Sequence, residues 1–234
     1  MIKALKEYFV EWWIIIARPI LFYTKLKEES WKEQSLTFLL FSSWILAAAF
    51  SLAIFIVQYL PIGATLVTGI IGFKFLLITP VILTLAFAFY MITLLIVGGV
   101  LSILFGAAFY AIGFILHYIY LAFGGQGRLN RMIQSSFYSS AVVLFLALPA
   151  AFAVVTRYGW LELSLFAVGF NIVYVFIAVY VYGLWAVAGR KTYGVAKWRA
   201  FAGALVPVVL LLIFGFIFDK IGLRKLEAWI APLK

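Results

Sequence analysis

Residues 36–60 read LTFLLFSSWILAAAFSLAIFIVQYL, and this stretch of 25 residues contains no charged side chain. About 20 consecutive apolar residues cross the hydrocarbon core of a bilayer as a helix, so the stretch is long enough to span a membrane with some tilt. Ser43, Ala47 and Ser51 recur at every fourth position. Because small residues at this spacing let a neighbouring helix approach closely, the stretch predicts a transmembrane helix that packs against another.

The composition of the whole chain agrees with a membrane location. The chain has 234 residues, of which 67% are hydrophobic and 11% charged, whereas a soluble domain has about 25% charged residues. Lipid can cover an apolar exterior that water could not. We therefore predict an all-α polytopic membrane helix bundle with three regions: an N-terminal interfacial segment (1–35), a transmembrane domain (36–218) and an amphipathic C-terminal tail (219–234).

Three further stretches read as clear spans. They cover 132–155 with a kink near Pro149, 161–187, and 200–218 with a kink at Pro207. The run Gly124-Gly125-Gln126-Gly127 predicts a turn before the first of these spans. The sequence Gly189-Arg190-Lys191 is expected to open a basic loop that separates the last two.

Residues 64–123 are almost continuously apolar, with Lys74 as their only charged residue. A single helix of this length would run roughly 90 Å, far beyond the thickness of a bilayer. We therefore expect a turn at Pro80 or at Gly98-Gly99. One alternative has two spans here. The other has one span at 98–123, preceded by interfacial or re-entrant helices over 64–97.

The basic residues favour the five-span alternative. With five spans the inner side carries six Lys and Arg from the N-terminal segment, two from 124–131 and four from 189–199, against six outside. With six spans the count is 11 against seven. Positively charged loops remain in the cytoplasm, so we expect a cytoplasmic N-terminus and an outer C-terminus. The expected location is the cytoplasmic membrane of a prokaryote.

Both ends of the chain predict amphipathic helices that lie in the headgroup plane. Residues 1–17 place apolar side chains on one side and charged ones on the other, and residues 219–234 do the same with two cations. The expected apolar sides are Ile2, Leu5, Phe9, Trp12, Trp13 and Ile16 in the first helix, and Leu226, Trp229, Ile230 and Leu233 in the second.

Two groups of polar side chains fall within the predicted spans. His117, the only histidine, lies at a depth comparable to that of Gln134 and Tyr138 on the next span, and a hydrogen bond between these helices is expected. Polar contact between helices is the favoured interpretation, and a proton or substrate site is the alternative. In the fourth span a semi-polar stripe either packs against neighbours or lines a cavity; it comprises Asn171, Tyr174, Ala178, Tyr182 and Trp185.

We find no residue pattern that indicates catalysis. Ser135, Ser136, Ser139 and Ser140 have the spacing of a close helix contact, and no base for a serine nucleophile is evident. The sequence has no cysteine and no paired carboxylates or metal-ligand spacing. We therefore predict no enzyme activity, no catalytic residue, no cofactor and no metal.

The net charge of +10 predicts attraction to anionic lipid headgroups, not to nucleic acid. The expected partners are the lipid bilayer, other membrane proteins or a second copy of the chain. Two function classes remain open at this point. One is a non-enzymatic scaffold or adaptor, and the alternative is a transporter, channel or flippase-like conduit for a lipid or small solute.

Several short motifs resemble the Yip-domain family of membrane proteins in its compact prokaryotic form. They are the run from Pro19 to Ser30 before the first span, the run from His117 through Gly124-Gly125-Gln126-Gly127-Arg128, the later Tyr138-Ser139 and Pro149, and Trp185 with Gly189 through Trp198-Arg199-Ala200. The resemblance covers about residues 17–218. It implies five spans, a cytoplasmic N-terminus and a role in binding partner proteins, and it carries no catalytic residues. The long polar N-terminal region of the eukaryotic members is missing here, and 61–97 is longer than the family pattern.

Overall fold

The computed structural model describes residues 2–27, 30–67 and 73–231, and these residues form helices without any β-strand. This confirms the predicted all-α class. The helices are α1 (Ile2–Ala17), α2 (Pro19–Lys25), α3 (Gln34–Ile54), α4 (Leu60–Val67), α5 (Phe73–Ala122), α6 (Leu129–Ser139), α7 (Ala147–Arg157), α8 (Leu163–Tyr193), α9 (Lys197–Phe218) and α10 (Arg224–Ile230).

Short π-helical or 3₁₀ turns join some of these helices into longer ones, and five of the resulting helices within the described residues are long and apolar enough to cross a membrane. This confirms the expected number of spans. The five candidate spans are Gln34–Thr65, Leu77–Ala122, Leu129–Arg157, Leu163–Tyr193 and Lys197–Ile230.

Contacts at one end of the bundle exclude the six-span alternative. The backbone N–H of Trp31 donates to Asn130 Oδ1 at 3.3 Å, and the N–H of Gln126 donates to the carbonyl of Tyr193 at 3.1 Å. The segment before the first span and the two basic loops therefore lie at the same end. A sixth span would add a third membrane crossing between residues 34 and 123. It would therefore put the segment before the first span on the opposite side of the membrane from the two basic loops.

The opposite end gathers the remaining connections. Tyr158 donates to the carbonyl of Ile56 at 3.3 Å, and Gln58 Nε2 donates to the carbonyl of Trp229 at 3.3 Å. The turn after α7, the end of the first span and α10 therefore meet at this end, as an odd number of spans requires.

Helix α5 differs most from the sequence-based expectation. It is one unbroken helix of 50 residues, about 75 Å long, so the expected turn at Pro80 or at Gly98-Gly99 is wrong. The alternative with one span in this region is confirmed in its number of spans, but the span begins at Leu77 and not at 98, without separate helices over 73–97. Gly98 is a packing position, because a Cβ there would lie 2.7 Å from the indole of Trp44. Pro80 removes one backbone donor, a loss that apolar membrane helices tolerate. Residues 68–72 lie outside the described residues.

In the first and third spans, a segment of irregular helix lies just before the proline. The first span continues past residue 60 and through Pro61 to Thr65, because a π-helical turn over Phe55–Tyr59 precedes the proline and Leu60 N–H donates to Phe55 O. This wider turn lets the helix continue past a residue that lacks an N–H. Before Pro149 the chain forms a 3₁₀ segment, Ser140–Leu146, which places the predicted irregularity just ahead of the proline.

The fourth span extends beyond the expected basic loop. Helix α8 continues through Gly189-Arg190-Lys191 and ends at Tyr193, where Gly194 adopts a φ of 68°. A left-handed glycine is a common helix terminator. Gly189 does not end the helix, because its missing side chain makes room for the ring of Tyr120, whose Cζ would lie 2.3 Å from a Cβ at this position.

Helix α1 forms where expected and ends before Pro19, but it docks against the bundle. Trp12 Nε1 donates to the carbonyl of Ala141 at 2.8 Å, and Tyr8 and Ile15 are buried. Ala141 lies 12 residues into the third span, about 18 Å from its start. Part of the expected apolar side, Phe9 and Trp13 among others, is exposed on the outside of the helix. The helix therefore has two apolar faces, one for the bundle and one for lipid.

The C-terminal tail is continuous with the last span. Helix α9 passes through a π-helical turn, Asp219–Leu223, into α10, without a break at the expected boundary after residue 218. Leu223 and Ile230 are buried, whereas Leu226 and Trp229 are exposed. Of the expected apolar side, Ile230 therefore packs against the bundle, whereas Leu226 and Trp229 face outward, where lipid can cover them. Leu233 lies outside the described residues.

Candidate functional site

The predicted polar cluster divides into two parts. His117 Nδ1 is hydrogen-bonded to the hydroxyl of Tyr193, which also donates to the carbonyl of Arg128 at 3.1 Å. The expected bond from His117 to Gln134 or Tyr138 is therefore wrong. His117 instead joins the end of α5 to the end of α8, a contact between helices that agrees with the favoured interpretation of this residue.

Gln134 and Tyr138 lie together on α6, where both are buried. The ring of Tyr138 packs against Phe22 and Phe38, with centroids 4.9 and 5.3 Å away. The ring contact with Phe22 places Tyr138 against α2, which belongs to the predicted N-terminal interfacial segment (1–35).

The semi-polar stripe of the fourth span is used in contacts with neighbouring helices. Asn171 Nδ2 donates to Asp219 Oδ1 at 3.0 Å, and Tyr174 donates to the carbonyl of Leu211. Trp185 Nε1 donates to Ser139 Oγ at 2.8 Å, and Tyr182 packs against Phe201. These contacts agree with the packing interpretation of the stripe.

The serines at the start of the third span also form helix contacts. Ser136 Oγ donates to the carbonyl of Phe109 at 2.7 Å. On the facing helix, a Cβ at Gly113 would lie 3.0 Å from the Cα of Ile133. The small-residue spacing therefore marks a close approach between α5 and α6, as predicted.

A pocket of about 360 Å³ lies near the basic end, between α1, α2, the start of α3 and the second half of α6. Small-molecule sites have volumes of about 300–1,000 Å³. One side of the lining is apolar and the other is polar. The apolar side comprises Ile14, Leu21, Phe22 and Leu26, and the polar side comprises Glu11, Lys25, Lys27, Gln34, Gln134 and Tyr138.

Hydrogen bonds from α6 hold the segment that forms one wall of this pocket. Arg131 Nη2 donates to the carbonyl of Leu26 at 3.3 Å, and Gln134 Nε2 donates to the carbonyl of Lys27 at 3.0 Å. Tyr23 is completely buried and donates to the carbonyl of Ser135 at 3.3 Å. Burial raises the pKa of Tyr23 well above its ordinary value, with a smaller effect from Tyr180, so its hydroxyl stays neutral and remains a donor.

Gln134 has an unused hydrogen-bond acceptor. Its side chain is 2% exposed and lines the pocket, and its Oε1 has no hydrogen-bond partner among the described residues. The amide cannot be turned around to use Oε1, because the carbonyl of Lys27 accepts and does not donate. A buried polar atom without a partner costs about 1–3 kcal/mol, so a donor that enters the pocket would be favoured.

Sequence reasoning placed Gln134 and Tyr138 in a candidate cluster and missed the rest of the pocket. Lys25 and Lys27 were expected only as part of the N-terminal interfacial segment (1–35). Their link to Gln134 crosses more than 100 residues of sequence, and no local pattern signals such a contact. Only the docking of α2 on α6 brings these side chains together.

Comparison with known proteins identified no relative of this chain. No protein-family model, curated protein or solved structure matches this chain. Among the described residues there is also no group of three or more His, Asp or Glu side chains that could hold a metal ion.

Proposed function

We propose that this chain is a non-enzymatic integral membrane protein of the Yip-like class that acts as a scaffold for partner membrane proteins. The observation that carries the proposal is the exposure of the second span. In the most apolar 18-residue stretch of this span, 11% of the residues are buried inside the protein, compared with 28% to 44% in the corresponding stretches of the other four spans. Leu83, Ile96 and Ile103 on α5 are all more than half exposed, so the helix offers a long apolar surface to partner helices.

The charge distribution supports a cytoplasmic location for the basic end. The segments at this end carry nine Lys and Arg within the described residues, and those at the opposite end carry five. Basic residues are retained on the cytoplasmic side. The nine are Lys25, Lys27, Lys32, Arg128, Arg131, Arg190, Lys191, Lys197 and Arg199, and the five are Lys74, Arg157, Lys220, Arg224 and Lys225.

The scaffold proposal is tested by site-specific photo-crosslinking in native membranes. A photoreactive amino acid replaces Leu83 or Ile96 on α5, and the matched control replaces Val179 on α8, which is similarly exposed at 64%. We expect discrete protein adducts of the same mass from both α5 positions and none from α8. Lipid adducts alone at all three positions would contradict the proposal.

A lipid conduit is the second candidate function, and the pocket beside α2 is the observation that favours it. The packing of the α8 stripe against α6 and α9 weighs against this candidate, because those side chains would otherwise supply a polar path. Fluorescent phospholipid in reconstituted vesicles distinguishes the two functions. Exchange between leaflets that depends on the protein would support the conduit, and its absence together with α5 adducts would support the scaffold.

A further inference from the structure

We propose that the pocket between α1 and α2 binds a phospholipid from the leaflet at the basic end of the bundle. The lipid headgroup would combine a phosphodiester with a hydrogen-bond donor, as in phosphatidylglycerol or phosphatidylethanolamine. This inference goes beyond the scaffold function, because it assigns a ligand and a site that partner binding does not require.

The depth of the pocket matches the headgroup region and the upper acyl chains of one leaflet. Gln34 is the first residue of the first span and lies at the exposed rim. Tyr138 lies nine residues after Leu129, the first residue of the third span, which is about 14 Å along the helix. A ligand in this pocket would extend from the membrane surface toward the hydrocarbon, as a phospholipid does.

The unused acceptor on Gln134 selects for a donor on the ligand. Its Oε1 is buried and has no partner within the described part of the chain, while its amide nitrogen donates to the carbonyl of Lys27. Glycerol hydroxyls or a primary ammonium can donate to this oxygen, and the quaternary ammonium of phosphatidylcholine cannot. The pocket should therefore distinguish lipids that share a phosphate and differ in headgroup donors.

The charges of the lining suit a phosphodiester. Lys25 and Lys27 are exposed at the rim, and among the described residues of the lining Glu11 is the one acidic side chain. Two cations and one carboxylate leave a net charge of +1, which complements the single negative charge of a phosphodiester. Each Lys near a membrane surface contributes about 1 kcal/mol to the attraction of anionic lipid.

The apolar side of the lining explains why the ligand would be a lipid and not a free phosphate ester. Ile14 comes from α1, and Leu21 and Phe22 come from α2. An acyl chain placed along these side chains would remove apolar surface from water at about 25 cal/mol per Å². A water-soluble headgroup without chains would gain none of this free energy.

The test is native mass spectrometry of the full chain in a neutral detergent, titrated with short-chain phosphatidylglycerol, phosphatidylethanolamine or phosphatidylcholine that carry identical acyl chains. We expect one saturable lipid for the first two and weaker binding of the third. In the double variant Lys25→Gln/Lys27→Gln the affinity for phosphatidylglycerol should fall roughly tenfold or more. The matched control is Lys32→Gln, which removes an exposed lysine outside the pocket and should change the affinity little.

A second variant tests the donor requirement. Gln134→Met keeps an unbranched side chain of similar length and removes the acceptor, so the preference for phosphatidylethanolamine over phosphatidylcholine, two lipids of the same net charge, should be lost. Equal affinities of the three lipids for the wild type would overturn the proposal, as would equal losses in the double variant and in Lys32→Gln. Competition by glycerophosphoglycerol as strong as by the intact lipid would show a site for soluble phosphate esters and overturn the lipid assignment.

The two proposals fail independently. Crosslinking from α5 does not involve the pocket, and lipid binding to purified protein does not involve a partner. Loss of lipid selectivity with α5 adducts retained would remove only the lipid site. Selective lipid binding without adducts would remove only the scaffold.

Discussion

The ring of Tyr120 joins three helices of the bundle. It lies between Gly189 of α8 and Gly203 of α9, where added Cβ atoms would lie 2.3 and 2.6 Å from its carbons. Its hydroxyl is 3.0 Å from the carbonyl of Trp185 and 3.1 Å from that of Ala200, so its one proton is shared between two helices. Because the ring is fully buried, it has little room to move.

Substitution of Gly189 by Ala should therefore destabilise the bundle. An extra methyl group in a closely packed site costs about 1–3 kcal/mol, and we expect a lower melting temperature in detergent. The matched control is Gly183→Ala in the same helix, because a Cβ at Gly183 has no neighbour within 4 Å. Alanine there should be neutral or slightly stabilising. Equal melting temperatures for the two variants would contradict the packing role of Gly189.

The raised pKa of Tyr8 predicts how the docking of α1 on the bundle depends on pH. Burial raises its pKa from 10.0 to about 12, and the hydrogen bond with Ser42 at 2.8 Å acts in the opposite direction. Undocked Tyr8 would ionise near its ordinary pKa. The contribution of neutral Tyr8 to docking is therefore complete below pH 10 and is lost as the pH rises toward 12, by at most about 3 kcal/mol.

Titration of tyrosinate absorbance measures the pKa of Tyr8 directly. The difference between the wild type and Tyr8→Phe isolates the titration of Tyr8, and we expect its midpoint at about 12. A midpoint near 10 would mean that Tyr8 is not buried against the first span. The sequence identified α1 as a helix, but it did not indicate Tyr8 as a buried residue, because Tyr8 lies between the charged side and the expected apolar side.

At the scale of elements, α5 shows how a sequence rule can fail. Proline and paired glycines often mark turns. A single helix over this apolar stretch is longer than a bilayer is thick, so the sequence predicted a turn within it. In the structure Thr79 Oγ1 donates to the carbonyl of Phe75 and Thr84 Oγ1 donates to the carbonyl of Pro80 itself. Gly98 makes room for the indole of Trp44. Each suspected breaker is accommodated within the helix, and nothing local distinguishes such a position from a turn.

A distance measurement tests whether α5 is unbroken. The cysteine-free chain allows spin labels at Leu83 and Leu121, both exposed, which are 38 residues apart. An unbroken helix places their backbones about 57 Å apart. A re-entrant turn near Gly98-Gly99 would give a much shorter distance and would contradict the helix. The control pair Ile103 and Leu121 lies on one side of the glycines and should give about 27 Å in either case.

At the scale of the whole molecule, the bundle separates its charges into two ends. Arg199 donates to the carbonyl of Phe123 at 2.9 Å at the basic end, and Arg157 donates to the carbonyl of Ala231 at the opposite end. Side chains at each end thus close the ends of neighbouring helices by satisfying terminal carbonyls. The arrangement predicts which surface positions share a side of the membrane.

Single-cysteine labelling in sealed vesicles tests this arrangement. Ser30, Gln126 and Trp198 lie at the basic end, and Trp160, which is 83% exposed, lies at the other. We expect the first three positions to react with a membrane-impermeant reagent from the cytoplasmic side and Trp160 from the outside. Labelling of Gln126 from the side opposite to Ser30 would contradict the five-span bundle.

The sequence by itself determined that this protein is an α-helical membrane bundle, where most of its spans lie, and which small residues mark close contacts. These features depend on local composition and periodicity, which a single stretch such as 36–60 displays completely. The tertiary structure decided that α5 is unbroken, that α1 and α10 dock on the bundle, that His117 pairs with Tyr193, and that Lys25, Lys27 and Gln134 share a pocket. These features depend on side chains far apart in the chain, whose proximity is set by how the helices pack.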